Sequence, residues 1–235
     1  MEPIETYVER KKEELKSKPY LKEAKIVIVQ VNNDPASNSY IKGKIRDLSE
    51  IGINYEHIKL SPNISQEDLL KIIDLLNKRE DVHGFIVQLP LPKHIDERVI
   101  KTSITPLKDI DGFNPLSSFV PSTPKGILTY LEDQKFSFDS KNAVIIGRSE
   151  IVGKPMQQVL LNKNMNVTIL HSKTLTNDMK FYLEHADLII VAVGKPYFLK
   201  KDEFNLKDYC FVFDVGINRI FNKELNKDVL IGDCE

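Results

Sequence analysis

Short apolar runs alternate with amphipathic stretches along nearly the whole chain, and this alternation restricts the fold more than any other feature. Lys25 to Val31 reads as a buried strand, Ser37 to Ile51 as a helix stopped by Gly52, and Ile53 to Leu60 as a second strand. Asn32-Asn33-Asp34-Pro35 marks the turn between the first two. Ser65, with Asp68 three residues on, opens a helix to about Asn77, and Gly84 to Pro90 is a third strand. The β-α-β-α-β order predicts a parallel sheet with right-handed crossovers.

Five prolines (92, 106, 115, 121 and 124) punctuate the next stretch, which reads as an inter-domain connection. Thr123 and Pro124 suit the cap and first position of a helix to about Asp133. The pattern then repeats. Strands are expected at Asn142–Ile146, Asn166–His171, Leu188–Val193, Phe211–Gly216 and Val229–Ile231, and helices at Pro155–Asn162 and Asp178–His185. Strands this apolar suit a doubly wound sheet covered on both faces. The fold class predicted is α/β with two domains, residues 1–120 and 121–235.

Composition narrows the functional classes. A net charge of −1 offers no overall attraction to nucleic acid or to an anionic membrane. Two cysteines, Cys210 and Cys234, make neither a metal cluster nor a disulfide framework, and a reducing compartment is expected. The first 18 residues are highly charged and lack the apolar core of a secretory signal, and no apolar run has the length to cross a bilayer. The expectation is a cytoplasmic protein that handles a small molecule.

In the second half, Gly147-Arg148-Ser149-Glu150-Ile151-Val152-Gly153-Lys154-Pro155 follows a strand and opens a helix. A dinucleotide pyrophosphate sits at such a place, facing backbone N–H groups and the positive end of the helix dipole. The spacing is not G-x-G-x-x-G, so an ordinary strand-to-helix turn describes this segment equally well. The next strand ends in Leu170-His171-Ser172-Lys173-Thr174, without the carboxylate that bonds the ribose 2′-OH of NAD. A hydroxyl and a cation suit a 2′-phosphate, and Arg148 could add a bidentate contact. The favoured cofactor is NADP.

In the first half, Tyr40 and Lys44 lie one helical turn apart on one face. A tyrosine ring stacks on a flat heterocycle, and a lysine beside it can transfer a proton or hold developing negative charge. Taken alone, such a pair more often marks an ordinary helix surface. Gln88 sits at the carboxyl end of the third strand, where open parallel sheets bind ligands, and could orient a lysine or simply be a satisfied buried amide. A carboxylate at Asp109 or Asp111 could accept two hydrogen bonds from an amidine-like edge, although an aspartate before glycine is also a common turn.

Several segments, in order and across nearly the whole chain, together resemble the bifunctional methylenetetrahydrofolate dehydrogenase/methenyltetrahydrofolate cyclohydrolase family. They are Asp34-Pro35-Ala36-Ser37 with Tyr40 and Lys44; Val87-Gln88-Leu89-Pro90-Leu91-Pro92; Lys108-Asp109-Ile110-Asp111-Gly112-Phe113; Thr123-Pro124-Lys125-Gly126; Gly147-Arg148-Ser149 with Val152-Gly153-Lys154-Pro155; His171-Ser172-Lys173-Thr174; and Asp214-Val215-Gly216-Ile217-Asn218. The resemblance implies an N-terminal parallel-sheet catalytic domain and a C-terminal Rossmann-like NADP-binding domain, with a cleft between them. It implies hydride transfer from 5,10-methylenetetrahydrofolate to NADP and hydrolysis of the methenyl product to 10-formyltetrahydrofolate, in one-carbon metabolism that serves purine biosynthesis.

By the same resemblance, Lys44 assists proton transfer, Gln88 is its hydrogen-bond partner, Tyr40 stacks on the folate ring, and Asp111 (Asp109 being the alternative) anchors the pterin edge. Leu89 and Pro90 complete the folate site. Gly147, Arg148, Ser149, Val152, Gly153, Pro155, His171, Ser172, Lys173, Thr174, Gly194 and Ile217 fall to the cofactor, and no metal is expected. His171 reads as structural or as a cofactor neighbour. A homodimer paired through the cofactor domain is also implied.

Three departures stand out. Asn32 replaces a common Gly, a change expected to be neutral because Asn tolerates the left-handed conformation. The connection from Asp111 to Thr123 is short, with Ser122 in place of a usual Cys. The sequence stops at Gly232-Asp233-Cys234-Glu235, where the family continues into a Pro-Gly-rich loop and a helix. Two alternatives therefore stay open: an enzyme that only hydrolyses the methenyl compound, and a non-catalytic folate- or NADP-binding short form.

Overall fold

In the computed structural model, residues 2–200, 203–222 and 227–235 are described. The chain divides into two units, Met1–Ser122 and Thr123–Glu235. Unit 1 contains α1 (Ile4–Lys16), a short 3-10 turn (Pro19–Glu23), β1 (Lys25–Gln30), α2 (Pro35–Ile51), β2 (Asn54–Lys59), α3 (Gln66–Lys78), β3 (Gly84–Gln88) and α4 (Glu97–Ser103). The strands form a parallel sheet, as the alternation of elements predicts, and their order is β2-β1-β3. The alternation of side chains along β1 separates two packing faces. Val27 and Val29 join Leu69, Ile73, Phe85 and Ile100 in the main core with α3 and α4, whereas Ile28 meets Ile41 and Ile86 under α2.

Local chemistry sets the helix ends. Pro35 occupies the first turn of α2, the Asp34 carboxylate accepts from Ser37 N–H at 2.8 Å, and Gly52 closes the helix in the left-handed conformation at φ 81°. Helix α3 begins as expected, with Ser65 Oγ accepting from Asp68 N–H at 3.0 Å. The charged N-terminus, for which no element was predicted, is helical. The Lys12 ammonium of α1 lies 3.1 Å from the Asp47 carboxylate and 2.9 Å from that of Glu50, both on α2. The proline-rich connection is not wholly irregular either: α4 lies within it, capped by the Asp96 carboxylate and anchored by buried Ile100.

Unit 2 holds α5 (Ser122–Asp133, beginning at the boundary residue), β4 (Asn142–Ile146), α6 (Gly153–Leu161), β5 (Asn166–Leu170), α7 (Thr176–Glu184), β6 (Leu188–Val191), β7 (Phe211–Asp214), β8 (Asn218–Asn222) and β9 (Lys227–Ile231). Strands β5-β4-β6-β7 form a parallel sheet. Because the chain moves outward from β4 in both directions, a crevice opens at the strands' carboxyl ends. One expectation is corrected here. The run at Val229–Ile231 does not extend the parallel sheet; β9 pairs antiparallel with β8, which had not been anticipated, in a separate ribbon. Among the described residues, no helix is long and apolar enough to cross a membrane.

Candidate active site

Unit 1 brings Lys44, Gln88 and Asp111 together. Gln30 and Gln88 are partners in the β1–β3 register, so both amides sit at the carboxyl edge of the sheet. Lys44, on α2 above that edge, donates from Nζ to Gln88 Oε1 at 3.2 Å, and Gln88 Nε2 donates to the Leu89 carbonyl at 2.9 Å. The Asp111 carboxylate lies 3.9 Å from Lys44 Nζ and is 15 % exposed. Burial raises its pKa, Lys44 opposes the rise, and the charge of Asp109 adds to it. Lys44, Asp111, Ile26, Ile28, Leu48 and Ile86 are among the residues that line a cavity of 280 Å³. Tyr40, one turn before Lys44, is 47 % exposed and does not line it.

The two candidate aspartates have different surroundings. Asp109 is buried, and its carboxylate accepts from the N–H groups of Asn114 at 2.7 Å and Gly112 at 3.1 Å. It holds the turn, whereas Asp111 faces the cavity beside the lysine.

The loop after β3 is fixed by residues to which the sequence reading gave no role. The Leu89–Pro90 peptide is cis. Asn32 Nδ2 donates to the Pro90 carbonyl at 2.6 Å, and Ser37 Oγ donates to the Leu89 carbonyl at 3.4 Å. Asn32 does not adopt a positive φ, so its side chain, not the backbone tolerance considered for it, is what the fold uses. Gln30, buried in β1, donates to Asn38 Oδ1 and to the Asn32 carbonyl, and its own Oε1 accepts from His57 Nε2 at 3.0 Å. Polar residues flanking an apolar strand gave some signal, but their partners are distant in sequence.

Unit 2 gathers Gly147, Arg148, Ser149, His171, Ser172 and Thr174 around a cavity of 510 Å³ at the carboxyl ends of β4, β5 and β6. Gly147, at φ 127°, lies where a methyl group would overlap the Ala192 carbonyl, and a methyl group on Gly153 would overlap the Gly147 carbonyl. Ser149 Oγ accepts from the Val152 and Gly153 N–H groups at 3.2 and 3.3 Å, which leaves its own proton for an anion. His171 Nδ1 accepts from Lys173 N–H at 3.2 Å, and Thr174 Oγ1 accepts from His171 N–H at 3.0 Å, so both shape the β5–α7 loop. Lys173 is exposed at that loop, and Pro155 lies in the first turn of α6. Ile217 is 56 % exposed and, like Gly194, is not among the residues lining the cavity.

Lys195, Met179 and Phe198 also line this cavity and were not anticipated. Burial pushes the Cys210 thiol up to about 11 and the Cys234 thiol up to about 12 (Asp214 adding to the latter), so both stay protonated at neutral pH. A close-packed glycine turn, a serine proton, Arg148 and Lys195, with no carboxylate at the end of β5, fit a phosphorylated dinucleotide.

Comparison with known proteins agrees over both units. The family model for the tetrahydrofolate dehydrogenase/cyclohydrolase catalytic domain matches residues 2–111, and that for the NAD(P)-binding domain of the same family matches residues 121–235. The bifunctional protein FolD of Campylobacter concisus is 44 % identical over 216 residues, 88 % of this chain and 75 % of that protein. The crystal structure of the bifunctional enzyme FolD from Campylobacter jejuni matches at a TM-score of 0.89 and 39 % identity, over 98 % of this chain and 84 % of that one. The Trypanosoma brucei methylenetetrahydrofolate dehydrogenase-cyclohydrolase, complexed with NADP cofactor and inhibitor, matches at 0.89 and 25 % identity, over 97 % and 83 %. The chain belongs to the tetrahydrofolate dehydrogenase/cyclohydrolase family.

Proposed function

We propose that this chain is a bifunctional one-carbon enzyme that oxidises 5,10-methylenetetrahydrofolate with NADP and hydrolyses the resulting 5,10-methenyltetrahydrofolate to 10-formyltetrahydrofolate. The observation that carries the reading is the Lys44 Nζ–Gln88 Oε1 contact at 3.2 Å with Asp111 beside it. NADP, when bound, supplies the hydride acceptor. In unit 2, Arg148 and Lys173 suit its 2′-phosphate, and Ser149 with the start of α6 suits its pyrophosphate.

In unit 1, Tyr40 is the residue we assign to stack on the flat folate ring, and Asp111 the one to accept from the 2-amino and N3 edge of the pterin; the Asp109 oxygens are taken up by backbone N–H groups. Hydrolysis adds water to the methenyl carbon, breaks its bond to N5, leaves the formyl group on N10 and releases one proton. Lys44 moves that proton, and Gln88 holds the ammonium in place. The unit beginning at Met1 is thus assigned to folate chemistry and the unit ending at Glu235 to NADP. We further propose a cytoplasmic homodimer paired through unit 2 and supplying formyl groups to purine biosynthesis; a monomer mass by light scattering would count against the pairing.

The test is to incubate the chain with methylenetetrahydrofolate and NADP or NAD, following reduced cofactor and the methenyl species by absorbance. NADP-dependent turnover is expected. Lys44→Met should stop conversion past the methenyl species. Absence of turnover with either cofactor, alongside intact hydrolysis of methenyltetrahydrofolate, would instead favour the hydrolysis-only alternative.

A further inference from the structure

We infer that Asp233 is a positioning residue for dinucleotide binding, its carboxylate holding the Val193–Lys195 loop as one wall of the unit 2 cavity. The inference rests on the NADP reading of that cavity. Asp233 is fully buried, at 0 % exposure. Its Oδ2 accepts from the backbone N–H groups of Val193 at 2.8 Å and Gly194 at 2.9 Å, and its Oδ1 from Lys195 N–H at 2.8 Å and Asn218 Nδ2 at 2.8 Å. Three consecutive main-chain donors converging on one carboxylate form an anion nest filled by the protein itself. A buried charge persists where such donors satisfy it, and each charge-assisted bond is stronger than its neutral counterpart.

The residues held in this way matter to the ligand. Val193 and Lys195 line the cavity, and Gly194 between them adopts φ 64°. Asp233 does not itself line the cavity, so it acts through the loop. Asp233 is fixed in turn. Its N–H donates to Asp214 Oδ1 at 2.9 Å, and Cys234 N–H donates to Asp214 Oδ2 at 2.8 Å, which ties it to the end of β7. Main-chain bonds from Leu199 N–H to the Asp233 carbonyl and from Glu235 N–H to the Leu199 carbonyl, both 3.0 Å, secure the far end of the loop. Gly216 and Gly232 leave the room this needs, since a methyl group on either would overlap the carboxylate of Asp233 or Asp214 respectively. With the carboxylate gone, three adjacent donors would lose their acceptor, and a loop containing glycine would relax away from the shape the cofactor meets.

The experiment uses the full chain and Asp233→Asn, which keeps the shape but turns an N–H₂ group toward donors that need an acceptor. The KM for NADP is expected to rise about tenfold or more, equivalent to ~1.4 kcal/mol. The KM for methylenetetrahydrofolate, and hydrolysis of methenyltetrahydrofolate measured without NADP, should not change. An unchanged KM for NADP overturns the inference. A second measurement does not depend on how the variant folds. In the unsubstituted chain without NADP, the amide hydrogens of Val193, Gly194 and Lys195 should exchange as slowly as those of β6, and rapid exchange at these three sites also overturns it. Failure of the unsubstituted chain to reduce NADP would instead refute the proposed dehydrogenase, and the exchange rates would still report whether Asp233 holds the loop.

Discussion

Asp111 combines a carboxylate that sees little solvent with the nearby Lys44 ammonium, and its ionisation should be visible in stability. Burial raises its folded pKa above the ordinary carboxylate value of ~4. The folded state therefore prefers the protonated acid, and stability is lost as pH rises through the ordinary range to the raised value. Asp111→Asn should remove that loss, so its melting temperature relative to the parent should climb as pH rises above about 4; a constant difference would argue against a raised pKa. The same substitution should raise the KM for the folate substrate, because an amide turns an N–H toward a donor edge. Asp111 was the sequence-based preference over Asp109 from its place in a motif. The difference in environment was not legible, because it depends on which backbone N–H groups the turn at Gly112 presents to which oxygen.

At the scale of elements, two short devices are testable. Ser65 caps α3 and also donates to Asp68 Oδ2 at 2.8 Å. Ser65→Ala should cost about 1 kcal/mol in urea denaturation without changing turnover. Gly147 joins β4 to the loop before α6 in a conformation other residues resist, against the Ala192 carbonyl. Gly147→Ala should cost roughly 1–3 kcal/mol and weaken NADP binding, while hydrolysis of methenyltetrahydrofolate survives. The strands were readable because unbroken apolar runs have few other destinations. Helix α1 was not, because Tyr7 is its only residue recorded as buried and ion pairs to α2 hold it in place.

At the scale of the whole molecule, the two units have separate cores, and their ligands should leave separate footprints. With NADP, hydrogen exchange should slow at residues 147–153 and 171–174. With a folate substrate analogue, it should slow near residues 40–44, 88–91 and 111. Protection of the first set by folate alone would count against the assignment of one ligand to each unit.

The order of apolar runs, the glycine turn after β4, the missing carboxylate after β5 and the Tyr40/Lys44 spacing are local properties, and the sequence by itself determined them. Local periodicity and turn chemistry act over a few residues, so they can be read in one dimension. Tertiary structure alone decided that Asn32 ties down the Pro90 carbonyl, that β9 leaves the parallel sheet for a ribbon with β8, and that Asp233 supports a loop about 40 residues earlier in the chain. The first and last depend on hydrogen-bond partners far apart in sequence, which meet only once the sheets have brought the segments together, whereas the ribbon is a local pairing whose choice over the parallel sheet an apolar run alone does not specify.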